Sequence, residues 1–285
     1  MALYPFYDTT ENPGQVSLPA EAVNYNGTWI DSEVPQFRTL YVSGRESFSY
    51  DVEEAEFSSI DGTSFLGARL LPRTILVGYQ VIAASPMDFR NAFDELAAIM
   101  SAKQVPVIFA DDPNRYYVGT CKGLGEPEPG RLSVTAEMEI YCADPVKYAV
   151  TETTKAFSGG SCSFQYNGSY PARPKLEAAF SGIATSVAFT GADGSVSAGN
   201  EDAEENEEPF GNGSQCVIDC SAGAILVRHS SQQSWTKAPK LGDVSNEYEK
   251  MLVQPGANTF SAASSLYGTE TSGNSYTIQY REAWL

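Results

Sequence analysis

The run Arg73-Thr74-Ile75-Leu76-Val77-Gly78-Tyr79-Gln80-Val81-Ile82 decides how the first half of this chain is read. It is dense in β-branched and aromatic residues, the composition of a strand buried along most of its length. A helix is expected next. Ser85 offers a hydroxyl to the free amides of a first turn, Pro86 has no N–H to lose at the first helical position, and Asp88 sets a carboxylate at the positive end of the dipole. Phe89, Phe93, Leu96, Ala97 and Met100 recur at spacings of three and four, one apolar stripe on a helix placed at about residues 86–102. Such a stripe needs a sheet to cover.

The sheet is supplied downstream. Val105 to Phe109 and Tyr116 to Cys121 read as a hairpin around the turn Ala110-Asp111-Asp112-Pro113-Asn114. After a Gly/Pro/Glu-rich loop, Leu132, Val134, Ala136, Met138, Ile140 and Cys142 alternate with Ser133, Thr135, Glu137, Glu139 and Tyr141, the period of a half-buried strand. Ala143-Asp144-Pro145 ends the run.

Upstream, residues 1–20 read as an extended arm rich in turn formers. Asn26-Gly27 between apolar residues marks a tight hairpin, because both central positions need positive φ. Arg38 to Val42 is a strand. Residues 47–68 carry many acids (Asp51, Glu53, Glu54, Glu56), a turn at Asp61-Gly62 and no strong periodicity, so they read as a long surface loop, a belt able to pack on a neighbouring subunit. Phe48, Tyr50, Phe57, Phe65 and Leu66 punctuate it and are the candidate interface residues; the plainer alternative is that they pin the loop to its own domain.

Beyond Pro145 the character changes. Thr151 to Gly160 is polar and reads as a boundary between a first domain, 1–150, and a second, 151–285. Leu176 to Phe180, Val187 to Thr190, Gln215 to Cys220, Ala224 to His229, Asn258 to Ala262 and Ser275 to Trp284 are short strands separated by turn residues, the pattern of a second antiparallel β-sandwich. The acidic block Glu201-Asp202-Ala203-Glu204-Glu205-Asn206-Glu207-Glu208 reads as a solvated loop. The fold class is thus mainly β: two β-sandwich domains, the first with a single α-helix.

Charge narrows the partners. The formal net charge is −18, from 36 Asp and Glu against 18 Lys and Arg, which disfavours unaided binding to nucleic acid or an anionic membrane. No segment has the length and apolarity of a membrane span or a secretory signal, so assembly in a cytoplasm is expected. Five cysteines without a Cys-x-x-Cys pair read as reduced thiols, Cys216 and Cys220 on the buried side of a strand. No metal or cofactor is expected.

Motifs for catalysis are missing. There is no His-Glu-x-x-His, no Gly-x-Ser-x-Gly and no phosphate-binding loop, and His229 is the only histidine. A cell-wall hydrolase would have only its abundant acids to rest on. A sugar site is imaginable at Arg228, His229 and Trp235, an aromatic ring beside polar groups. Three Asn-x-Ser/Thr sequons, at Asn26, Asn167 and Asn212, are better explained as turns.

Several phrases, in this order, resemble the distal tail proteins of long, non-contractile-tailed bacteriophages. They are Gly44-Arg45-Glu46-Ser47, Leu71-Pro72-Arg73-Thr74-Ile75-Leu76-Val77, Asp112-Pro113-Asn114-Arg115-Tyr116-Tyr117, and Tyr141-Cys142-Ala143-Asp144-Pro145. The second half adds Tyr170-Pro171-Ala172-Arg173-Pro174-Lys175-Leu176-Glu177, Cys216-Val217-Ile218-Asp219-Cys220, Leu252-Val253-Gln254-Pro255-Gly256-Ala257-Asn258 and Ile278-Gln279-Tyr280-Arg281-Glu282-Ala283-Trp284. The resemblance implies a non-enzymatic virion protein whose first domains join into a homohexameric ring and whose second, galectin-like domain projects outward. It implies partners too: the tail tube protein, a tail-associated lysin or fibre protein, and a receptor-binding protein, with DNA passing through the ring unbound. Residues 191–212 and 230–250 are the candidate loops or arm toward a receptor-binding protein, the sequence not distinguishing an arm from a loop, and a carbohydrate-binding role for the galectin-like domain is the alternative function.

Overall fold

The computed structural model describes residues 18–58, 61–200 and 209–285. Most of the expected N-terminal arm and the acidic block 201–208 lie outside the described residues. The chain divides into two compact units, the first running to Val150 and the second from Thr151 to Trp284. Both are mainly β.

The first unit begins with β1 (Val23–Tyr25), β2 (Thr28–Trp29), a four-residue α1 (Ile30–Glu33) and β3 (Phe37–Ser43). Asn26 and Gly27 take φ of 53° and 87°, as the β1–β2 turn demands. Two strands follow that the sequence reading took for a loop, β4 (Tyr50–Glu56) and β5 (Thr63–Leu70). Then come β6 (Arg73–Ile82), α2 (Pro86–Met100), β7 (Val105–Phe109), β8 (Asp112–Gly123), β9 (Ser133–Cys142) and β10 (Lys147–Ala149). The main sheet has the order β2-β1-β7-β8-β9-β6-β3. The quoted run is the centre of it: β6 pairs with β9 over all ten residues, from Arg73 opposite Cys142 to Ile82 opposite Ser133, and with β3 on its other edge. Strand β8 carries the sheet around a bend. Up to Gly119 it pairs with β7, and from Thr120 with β9. A Cβ on Gly119 would lie 2.6 Å from Ile140 Cγ2, so any side chain there would have to push a buried neighbour aside.

The helix starts where the sequence places it, with the Asp88 amide donating to Ser85 Oγ at 3.2 Å. It ends at Met100, two residues early. Its buried line is Ala92, Leu96 and Met100, at steps of four; Ala97 faces solvent, and Phe89 and Phe93 are only half-covered. That line packs on Val77, Tyr79, Ile140 and Met138 in one core.

Two further expectations needed correction. The turn after β7 is only Ala110-Asp111, because Phe109 pairs with Asp112; Pro113 sits in β8 where the register shifts and no ladder N–H is required of it. The segment 47–68 is an antiparallel ribbon, β4 against β5, with a register shift at Glu53–Glu54. That shift hides the ribbon from a period-two reading, since apolar residues change parity partway along.

The second unit contains β11 (Thr153–Ala156), β12 (Ser161–Tyr166), β13 (Lys175–Ala179), β14 (Ser186–Thr190), β15 (Ser195–Gly199), β16 (Gln215–Asp219), β17 (Ala224–Arg228), β18 (Thr236–Lys237), β19 (Gly256–Leu266), β20 (Thr269–Glu270) and β21 (Ser275–Tyr280). One sheet has the order β11-β21-β13-β16-β17-β18, the other β12-β19-β14-β15. Leu176, Ile218, Val227 and Ile278 from the first meet Phe189, Val196 and Phe260 from the second in one core, which makes a sandwich. Phe164 stacks on Phe260 at 6.1 Å and on Tyr280 at 5.0 Å. The strand β11 was missed because its residues are polar and half or more exposed.

The cysteines lie as their alternation implies. All five thiols are free, and all but the half-buried Cys121 are buried. Burial pushes the thiols of Cys142, Cys216 and Cys220 up to about 12. Titration with a thiol reagent should therefore find at most one quickly reacting group, Cys121, in the native protein and five in denaturant. Rapid labelling of two or more native thiols would contradict this core.

Candidate interaction surfaces

The quoted phrases of the first half converge on two arginines, the buried Arg73 and the half-buried Arg45. Gly44 has φ of 88°, and a Cβ there would stand 2.4 Å from the Thr74 carbonyl oxygen, so the chain turns closely over the start of β6. That turn delivers Arg45 to Asp111, with Nη1–Oδ1 at 2.7 Å and Nη2–Oδ2 at 2.8 Å, and to Glu21 Oε1 at 2.7 Å, above the ring of Phe109 at 4.6 Å. Arg73 donates Nε to the Pro145 carbonyl at 3.0 Å and Nη1 to the carbonyls of Gly44, at 3.3 Å, and Arg45, and lies 5.4 Å over Tyr117. Lys147 and Arg115 both reach Asp112 Oδ2 at 3.4 Å. These phrases are a structural tie: Arg45 is held by carboxylates and Arg73 by backbone carbonyls, with Arg73 Nη2 and Arg45 Nε buried without a hydrogen-bond partner among the described residues.

The ribbon is the opposite case. Phe48, Tyr50, Phe57, Phe65 and Leu66 are 46% to 70% exposed, so the described residues of their own unit leave about half or more of each open. Opposite pairs run Tyr50 with Leu70, Val52 with Ala68 and, past the register shift, Glu54 with Phe65. Side chains alternate across a strand, so Tyr50, Val52, Phe65, Ala68 and Leu70 share one face with the acid Glu54 opposite Phe65, and Asp51, Glu53, Gly67 and Arg69 share the other. Phe48 packs edge-on against Tyr50 at 5.6 Å and extends the apolar face. Val52, half exposed, belongs to this face and went unnamed because acids flank it on both sides.

A cleft of about 660 Å³ lies beside the first turns of α2, lined by Pro86, Phe89, Arg90, Phe93, Asp94, Gly130, Arg131 and Leu132. The rings of Phe89 and Phe93 meet at 4.9 Å. They look like core in the helical period. In the structure they are half-open.

In the second unit, Arg228 ends β17, with its guanidinium 4.9 Å over the indole of Trp235 and its Nη2 donating to Gln215 Oε1. One face of that indole is thus already occupied. His229 is exposed at a turn whose carbonyl accepts from Gln232 N at 2.8 Å. Much of 236–250 folds back onto its own sheet: Asn246 accepts from Ser197 N at 2.7 Å and donates to Ser197 O at 2.8 Å, and Tyr248 packs on the core. In 191–212, residues up to Asn200 are tied down by β15 and by Asn200 N to Thr185 O at 3.0 Å, and Phe210 is buried and stacked on Phe180 at 4.6 Å. Among the described residues no group of three or more His, Cys, Asp or Glu side chains is placed to hold a metal, and no helix is long and apolar enough to cross a membrane.

Comparison with known proteins agrees with this geometry. Residues 25–142 match the family described as phage tail protein RIFT-related domain. The distal tail protein of Bacillus phage SPP1 is 27% identical over 195 residues, which covers 67% of this chain and 75% of that protein. The crystal structure of the SPP1 Dit protein, described as a paradigm of hub adsorption apparatus in phages infecting Gram-positive bacteria, superposes with a TM-score of 0.73 at 19% identity, over 93% of this chain and 99% of that one. Residues 25–142 thus resemble the phage tail protein RIFT-related domain, and the fold over nearly the whole chain is that of the SPP1 Dit protein.

Proposed function

We propose that this protein forms a closed homohexameric ring at the distal tip of the tail, each copy laying its β4–β5 ribbon on the next. The observation that carries this is the ribbon itself. An isolated two-stranded ribbon is marginal in water, and this one leaves an aromatic and aliphatic face bare; burying that face on a neighbour stabilises both the ribbon and the ring. The ring joins the tail tube protein on one side. On the other it holds the tail-associated lysin or fibre protein and the receptor-binding protein, to which the galectin-like second unit gives attachment. Its role is structural and without turnover, since the two arginine sites are tied into the fold and the sole histidine stands apart from them. The charge of −18 supports a lumen that repels passing DNA.

Light scattering on the purified, full-length protein at low and high salt tests this. A mass near six protomers is expected. A monomer at every concentration would end the ribbon-ring reading for this chain.

A further inference from the structure

A ring built from one kind of subunit needs two different complementary patches on each copy, because a head-to-tail contact joins unlike surfaces. The ribbon is one patch. We propose that the second is the α2 cleft, and that it receives the Phe65–Leu66 end of a neighbouring copy's ribbon. This rests on the ribbon-mediated ring proposed above and names the site it docks on.

Four observations support the match. Part of the cleft is apolar: α2 buries Ala92, Leu96 and Met100 in its own core, while Phe89 and Phe93 pack against that core and stay partly exposed in the cleft, with Met87 on the same turn 67% exposed. The rim carries two bases, Arg90 and Arg131, in a strongly acidic chain. Arg90 is exposed and has no ion pair among the described residues, and Arg131 pairs with the similarly exposed Glu128 at 3.4 Å, against one lining acid, Asp94. The ribbon has the reverse character: Asp51, Glu53, Glu54 and Glu56 on one strand, and a single base, Arg69, already facing Asp51 at 3.3 Å. Opposite charge around an apolar centre steers association and fixes register. Finally, Phe65 is 70% exposed and Leu66 64%, so the ribbon does not fill the cleft of its own subunit; the cleft, at about 660 Å³, has room for both side chains of another.

Site-directed cross-linking decides it. In a Cys121→Ser background, Leu66→Cys protein is mixed with Arg90→Cys protein and treated with a short bismaleimide, with the mass followed by light scattering. The expected result is a heterodimer from the mixture, absent when either protein is treated alone, and a ladder closing at the ring size from the Leu66→Cys/Arg90→Cys double variant. A second arm uses charge. Arg90→Glu with Arg131→Glu is expected to lower ring yield at least several-fold, and Glu53→Arg with Glu54→Arg, mixed in as the neighbour, to restore part of it. If the ring mass is present but the mixed cross-link is no stronger than that of a control pairing Arg90→Cys with the fully exposed Val244→Cys, the cleft is not the dock, while the ring reading stands. If only monomer is found, the ring reading fails and takes this proposal with it.

Discussion

Replacing Phe65 and Leu66 together with aspartate is expected to turn a ring-forming protein into a monomer that keeps its fold. Both side chains are exposed in the isolated subunit, at 70% and 64%, so removing them costs the subunit little, within about 0.5 kcal/mol for a surface change. At an interface the same change does two kinds of damage. It deletes apolar area of the sort that dominates binding, about 2 kcal/mol or more for each anchor, and it places two carboxylates where they cannot be solvated or paired. Each subunit contact should weaken by roughly a hundredfold or more. Light scattering would report the mass, and circular dichroism with thermal melting the fold. A variant that still sedimented as a ring would show that the ribbon face is not the contact; one that melted with its subunit would show that the ribbon is core after all.

Arg73→Leu should do the reverse, damaging the first unit while leaving the ribbon's surface chemistry untouched. Arg73 is almost fully buried and gathers the carbonyls of Gly44, Arg45 and Pro145 under one guanidinium. Leucine leaves those acceptors without their donor and frees the turn that delivers Arg45 to Asp111. Two or three carbonyls stranded at partly buried positions cost about 2–4 kcal/mol. Arg73→Lys should recover little, since one ammonium lacks the forked reach needed for carbonyls on two sides. Urea unfolding of the first unit measures this, and a loss below about 1 kcal/mol would mean water replaces the guanidinium freely.

The two variants separate the kinds of information the chain carries. The strand β6, the capped helix, the alternation of β9 and the Asn26-Gly27 turn were legible because each is a local pattern: a cap, a period, a pair of residues that tolerate positive φ. The ribbon was not, because its period breaks at Glu53–Glu54 and its acids outvote its apolar residues in any window average. The exposed polar β11 was lost for the same reason. Phe89 and Phe93 are a partial case, packed against the core yet partly exposed. Helical spacing put them on the buried stripe, yet the stripe turned by one residue toward Ala92 and left both rings at the edge of a cleft.

By itself the sequence determined the helix and the regularly patterned strands, the mainly β class and the likeness to phage distal tail proteins, since propensity, period and ordered phrases are all properties of short stretches. Only the tertiary structure decided what those phrases are for and which apolar residues stay bare. Gly44, Arg45, Arg73, Asp111 and Pro145 become one tie only when β3, β6, β8 and β9 bring distant residues within hydrogen-bond reach. Whether a phenylalanine is core or contact is settled by what the folded sheet leaves uncovered, and burial is a property of the whole packed unit, which no local pattern encodes.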